Sequence, residues 1–200
     1  MTMVPFTALR RRLARFGRAE RGVAAIEFAL ILPVMLLIYI GMTQVTLALN
    51  VDRKITVLSR TVADLVGRTS TLSPAQMTDV VAAALTVLAP FDASDVRIVI
   101  SSAMVREDAE GDLEAELCWS FANANGTRRT AGETIDVPPG YDSEGASFIL
   151  AEVSTVFRPV LTIDRIVDTI TLTDVSAWPV RNASQVVYDN RRCTPPTPST

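Results

Sequence analysis

The sequence predicts an α+β fold: a long N-terminal helix with a transmembrane half and an amphipathic half, then a second helix and about four mostly antiparallel strands. Three observations carry this. Phe28–Leu49 holds no charged residue. Val51, Ile55, Leu58, Val62 and Leu65 recur at spacings of 4, 3, 4 and 3, the period of one helix face. Between Asp95 and Trp178 several runs alternate apolar and polar residues, the period of a half-buried strand.

The N-terminal end is basic. Before residue 23 stand Arg10, Arg11, Arg12, Arg15, Arg18 and Arg21 against one acid, Glu20, a side-chain charge of +5; the formal net of −3 then leaves about −8 for the rest. Phe28–Leu49 alone counts 22 residues without a charge. As a helix it reaches about 33 Å, which matches a hydrocarbon core of about 30 Å. A cleaved secretory signal would have a shorter apolar core and a small-residue cleavage site, and a buried core helix would not need six arginines before it. Lys and Arg stay on the cytoplasmic side of a span. The expectation is a single span in the inner (cytoplasmic) membrane, N-terminus in the cytoplasm and C-terminal bulk in the periplasm. Pro33 removes one helical hydrogen bond within the span.

Periodicity carries the helix to about Val66, with Gly67 as a candidate C-cap. Ser73-Pro74 reads as an N-cap followed by proline at the first helical position. The helix after it presents Met77, Val80, Val81, Ala84, Leu85 and Leu88, and Pro90 stops it. Asp95–Val105 and Leu113–Phe121 read as strands joined by the charged link Arg106–Asp112. In the second, Leu113, Ala115, Leu117, Trp119 and Phe121 share one face and Cys118 lies on the other. Asn123–Gly145, rich in Gly, Pro, Asn and Asp, reads as a long loop; Ser147–Phe157 and Ile166–Trp178 are further strand-rich stretches. The boundaries expected are a basic cytoplasmic leader at 1–22, a transmembrane and stalk helix at 23–66, a periplasmic α+β domain at 67–190 and a Pro/Thr-rich tail at 191–200, mobile unless Cys193 ties it down.

Composition narrows the function. There is no histidine, which removes the commonest general base, the commonest metal ligand and every Ser-His or Cys-His nucleophile pair. An enzyme is not expected, nor a cofactor, a metal site or a small-molecule substrate. The acidic balance does not suggest nucleic acid, and no glycine-rich phosphate loop is present. The acid runs Glu107–Asp112 and Asp164–Asp174 lack the spacing of a calcium loop and read as solvated faces. Tyr141 and Trp178 read as packing aromatics in preference to exposed adhesive ones. The two cysteines, Cys118 and Cys193, are far apart and in no metal-type spacing. On the oxidising side of a membrane an even count fits one disulfide; two unpaired thiols are the alternative.

Glu27 requires an explanation, because a carboxylate in the membrane costs a few kcal/mol at the bilayer centre and less at the interface. A solvated position at headgroup level is the simplest account. Its neighbours offer another. In Arg18-Ala19-Glu20-Arg21-Gly22-Val23-Ala24-Ala25-Ile26-Glu27-Phe28 a glycine follows basic residues, then come four small or apolar residues, then Glu-Phe, then a long apolar helix. This resembles the prepilin processing site, and with the run Ala24–Gly41 it is most similar to the TadE-like pseudopilins of tight-adherence (Flp-type) pilus systems. The likeness is specific over Arg18–Gly41 and weaker to about Gly67. Thr169–Thr173 followed by Arg181 is similar to the closing strand of such proteins. Gln44 departs from relatives that often carry a second glutamate.

The resemblance implies a pilin-like fold. It maps Gly22 to the last leader residue, Val23 to the new N-terminus, and Glu27 and Phe28 to the assembly and processing motif. The physics is legible: cleavage after Gly22 frees an α-amino group on Val23, and Val23 and Glu27 are i and i+4 on one helix face. Glycine at the cut lets a protease approach the backbone closely. The partners implied are the inner membrane, a prepilin peptidase, other pseudopilins and the major pilin. The expected function is a non-catalytic, membrane-anchored pseudopilin in pilus biogenesis and surface adherence, associated with the pilus after processing. The alternative is a membrane-tethered periplasmic binding or sensing module.

Overall fold

The computed structural model describes residues 22–159 and 169–194. Helix α1 runs Val23–Gly67, as the uncharged run and the stripe require. The chain divides into two compact units, one ending at Thr46 and the other Leu47–Thr200.

In the first unit, α1 beyond Glu27 is apolar on every side and no other described residue covers it: Leu30 is 71% exposed, Tyr39 67% and Met42 68%. The most apolar 18-residue window of the helix reaches a mean hydropathy of 2.5 and is nowhere buried. A helix hydrophobic on every side belongs in a core or a membrane, so this is a single-span membrane anchor. Two of its polar side chains are satisfied within the helix. Thr43 donates its hydroxyl to the carbonyl of Ile40 at 2.7 Å and Thr46 to that of Met42 at 2.9 Å, which hides them from lipid.

The second unit is a mixed α+β fold. The outer part of α1 is followed by β1 (Thr71–Leu72), α2 (Pro74–Leu85) with a 3-10 turn at Thr86–Leu88, β2 (Arg97–Glu107), β3 (Leu113–Ala122), β4 (Thr134–Asp136), β5 (Ser147–Phe157), β6 (Ile170–Pro179) and β7 (Val187–Tyr188). Ser73 caps α2 in a reciprocal box with Gln76: the Gln76 N–H donates to the Ser73 hydroxyl and the Ser73 N–H to Oε1 of Gln76. β2 to β6 form one antiparallel sheet in the order β4-β3-β2-β5-β6, while β1 and β7 pair in parallel.

One face of the sheet packs against the helices. Ile55, Leu58, Val62 and Val66 of α1 are fully buried there with Met77, Ile98, Ile100, Trp119, Ile149 and Val153. A smaller cluster of Ala103, Val105, Ala115, Leu117, Phe148 and Leu150 forms on the other face, under Val137 and Tyr141. Tyr141 packs on Phe148 with ring centroids 4.7 Å apart, and burial raises its phenol pKa.

Several expectations need correcting. Leu65 does not join the buried stripe of α1: it is 37% exposed, whereas Val66 and Ala63 are fully buried. Gly67 is no left-handed cap. A Cβ there would meet the carbonyl oxygen of Pro179 at 2.9 Å, and that same close approach lets the Arg181 N–H reach the Gly67 carbonyl at 2.9 Å. The five-residue face assigned to β3 is split. The register pairs Ser102 with Trp119 and Ala103 with Leu117, so Cys118 is the extra residue of a β-bulge. Across it, Ala115 and Leu117 enter one core and Trp119 and Phe121 the other. The stretch expected as a long loop after β3 contains β4, which extends the sheet. Asp174 is no solvated acid; it is half-buried and accepts hydrogen bonds from Thr56 (2.9 Å) and Ser59 of α1. Asp164, Asp168 and the start of the last predicted strand, Ile166–Asp168, lie outside the described residues.

Candidate functional site

The residues that stood out in the sequence fall in two places, one in each unit. At the head of α1, Gly22 directly precedes the first helical residue, Val23. A Cβ on Gly22 would meet nothing within 4 Å. Packing among the described residues therefore does not require glycine here, unlike at Gly67. Val23 is 54% exposed and Phe28 64%, and no acid lies in the first turn of the helix. Glu27, one turn after Val23, is exposed as well. Among the described residues no hydrogen bond or ion pair engages its carboxylate. Among the described residues the helix thus presents a glycine junction free of packing, an exposed first residue, and an acid without a partner followed by an aromatic. Residues 22–64 match the TadE-like protein family. The matched segment starts at this glycine and ends within the buried stripe of α1. No curated protein and no solved structure matches the chain. The TadE-like segment therefore covers the anchor, the Glu27-Phe28 pair and most of the buried stripe of α1 within the second unit.

The second place is the C-terminal strap. Cys118, at the bulge of β3, is bonded to Cys193. Ahead of Cys193 the chain crosses the helix-facing core. Trp119 donates its indole N–H to the carbonyl of Val186 at 2.8 Å, and the Tyr188 ring lies 5.1 Å from that of Trp119 and 6.1 Å from that of Phe121. Asp189 and Asn190 take φ of 49° and 61°, a left-handed pair tolerated by Asp and Asn, which turns the strap back on itself. The Cys193 N–H then donates to Oε1 of Gln185 at 2.6 Å, and the Arg106 guanidinium donates to the carbonyl of Thr194 at 2.6 Å. The tail expected to move unless anchored is anchored as far as Thr194.

Sequence reasoning missed the polar seam that holds α1 to the last long strand. Asp64 accepts the indole N–H of Trp178 at 2.8 Å, lies 2.5 Å from the Arg68 guanidinium and 3.9 Å from that of Arg181. The hydrogen bond from Arg68, together with those other partners, lowers its pKa. The i,i+4 spacing of Asp64 and Arg68 was the available signal; nothing local points to Trp178. On the opposite face of the sheet Arg129 grips Glu152 with two hydrogen bonds of 2.7 and 2.8 Å and Glu133 with one of 2.6 Å. The Glu152 hydrogen bond leads the causes that raise its pKa well above the usual arginine value. Among the described residues no group of three or more Asp, Glu or Cys side chains is arranged to hold a metal ion.

Proposed function

We propose that this chain is a TadE-like pseudopilin that acts in the assembly of a tight-adherence pilus. In this reading a prepilin peptidase cuts between Gly22 and Val23 on the cytoplasmic side of the inner membrane. The mature protein stays anchored through the rest of α1 with its α+β unit in the periplasm. Its role is structural: it carries no catalytic step, and its partners are other pseudopilins and the major pilin.

The single observation that carries the reading is the glycine junction at the head of an apolar helix that no other described residue covers, with Glu27, unpaired among the described residues, one turn on, inside the segment that matches the TadE-like family. A carboxylate at that depth is costly unless something neutralises it. The ammonium freed on Val23 stands on the same helix face, and the same group on a neighbouring subunit would serve equally. Glycine, without a side chain, gives a protease access to the backbone, and among the described residues no packing at Gly22 competes with that use.

Replacement of Glu27 tests this. Glu27→Ala should leave the protein inserted in membranes at its normal level while surface pili are lost in electron micrographs. Normal piliation at normal protein level contradicts the assembly role of Glu27.

A further inference from the structure

We propose that the edge of the second unit beside Val51 is a lipid-contact surface, in which an apolar cleft is filled by phospholipid of the bilayer that holds α1. This rests on the reading of α1 as a membrane span.

The cleft has a volume of about 240 Å³ and is walled by Val51, Leu88, Phe91, Val96 and Phe157, with Arg158 at its rim. Its occupant follows from continuity along one helix. Val51 is the last uncharged residue before Asp52 and lies two residues beyond Leu49, an axial rise of about 3 Å. Leu47, one turn before Val51 on the same helix face and 38% exposed, continues the apolar surface of α1 up to the cleft. An apolar hollow a few ångströms from the end of a span opens at the level of headgroups and upper acyl chains, so lipid is the apolar matter within its reach.

Lys54 holds one wall of the cleft in place. Its ammonium donates to the carbonyls of Val87 (2.9 Å) and Ala89 and stands 5.8 Å from the centroid of the Phe91 ring. A cation on the last carbonyls of a helix is favourable, and here it ties the chain after α2 to α1 beside Leu88 and Phe91, which line the cleft. The rim carries both signs: Arg158, 63% exposed, is paired with Asp95, and Asp92 lies beside it. A zwitterionic headgroup has a partner for each of its charges. Half-buried Phe91 and Phe157 are the aromatic type favoured where one side is apolar and the other wet.

The test uses the full chain in phosphatidylcholine vesicles, with and without lipid brominated on the acyl chains, and single variants Phe91→Trp, Phe157→Trp, Leu36→Trp in the span and Tyr141→Trp at the far end of β5. That far end is about 30 Å away at the rise of a strand. Emission is read above that of Trp119 and Trp178 in the unaltered chain, and a mobility shift between reduced and non-reduced gels verifies the fold of each variant. The added emission of Phe91→Trp and Phe157→Trp should be blue-shifted and quenched by bromolipid, like that of Leu36→Trp, and that of Tyr141→Trp should not. If Leu36→Trp is quenched while both cleft variants are quenched only by aqueous iodide, the lipid contact is overturned and the span stands. If Leu36→Trp is also untouched by bromolipid, the span itself fails, and this inference with it.

Discussion

Trp178 of β6 donates its indole N–H to the Asp64 carboxylate of α1 at 2.8 Å, across 114 positions of sequence. The same carboxylate holds Arg68 on its own helix and lies near Arg181 just beyond β6. This one acid ties the outer part of α1 to the last long strand of the sheet.

A depressed carboxylate pKa contributes stability above the unfolded-state value, and that stability is lost as pH falls through the folded value. Asp64→Asn should therefore destabilise the second unit at pH 7 by about 1 kcal/mol, the order of a typical net hydrogen bond. The difference from the unaltered protein should shrink once pH falls below the ordinary aspartate value of 3.8 and through the lower native value. Denaturation midpoints measured at pH 7 and at pH 3 check this; a difference that does not depend on pH would exclude the charge as the cause.

The glycines make a contrast. Gly67→Ala forces a methyl group onto the backbone of Pro179, and overpacking of this kind costs about 1–3 kcal/mol. Gly41→Ala meets open space and should leave thermal unfolding of the second unit unchanged. Calorimetry of the two variants side by side separates them.

Removal of the Cys118–Cys193 bridge opens a loop with a sequence separation of 75. The chain-entropy model puts the loss at about 4 kcal/mol. The double variant Cys118→Ser/Cys193→Ser should melt well below the parent and lose the mobility shift between reduced and non-reduced gels. An unchanged denaturant midpoint would refute the contribution assigned to the strap.

Trp119→Phe keeps a ring in the core but strips the Val186 carbonyl of its donor. A buried acceptor left without a partner costs about 1–3 kcal/mol, so the urea midpoint should drop with little change in slope.

Much of this architecture is written in local patterns. The run Phe28–Leu49, the stripe from Val51 to Val62 and the Ser73-Pro74 start each need only one helix to be read, and they define α1 and α2 to within a residue or two. The alternations of β2, β3 and β5 are legible for the same reason. What escaped depends on distant partners. β1, β4 and β7 have two or three residues each, too few to show a period, and exist because another strand lies alongside. The bulge at Cys118 preserves the alternating sequence while sending Leu117 and Trp119 to different cores. Leu65 fits the spacing of the stripe, but the buried arc of α1 drifts past it onto Val66. Gly67 looked like a helix stop, since no sequence pattern announces the approach of Pro179. At the head of α1 the reverse holds: the Gly22 and Glu27-Phe28 pattern is local, so the sequence alone was enough to single it out.

The proposed role turns on what happens at that junction, and the first residues of the mature protein report it most directly. The protein should be extracted from membranes of cells that contain the prepilin peptidase and sequenced from its N-terminus. The account predicts Val23-Ala24-Ala25-Ile26-Glu27 as the first five residues, and the intact precursor when Gly22 is replaced by a bulky residue such as leucine. A polypeptide that still begins at Met1 in those cells would contradict it.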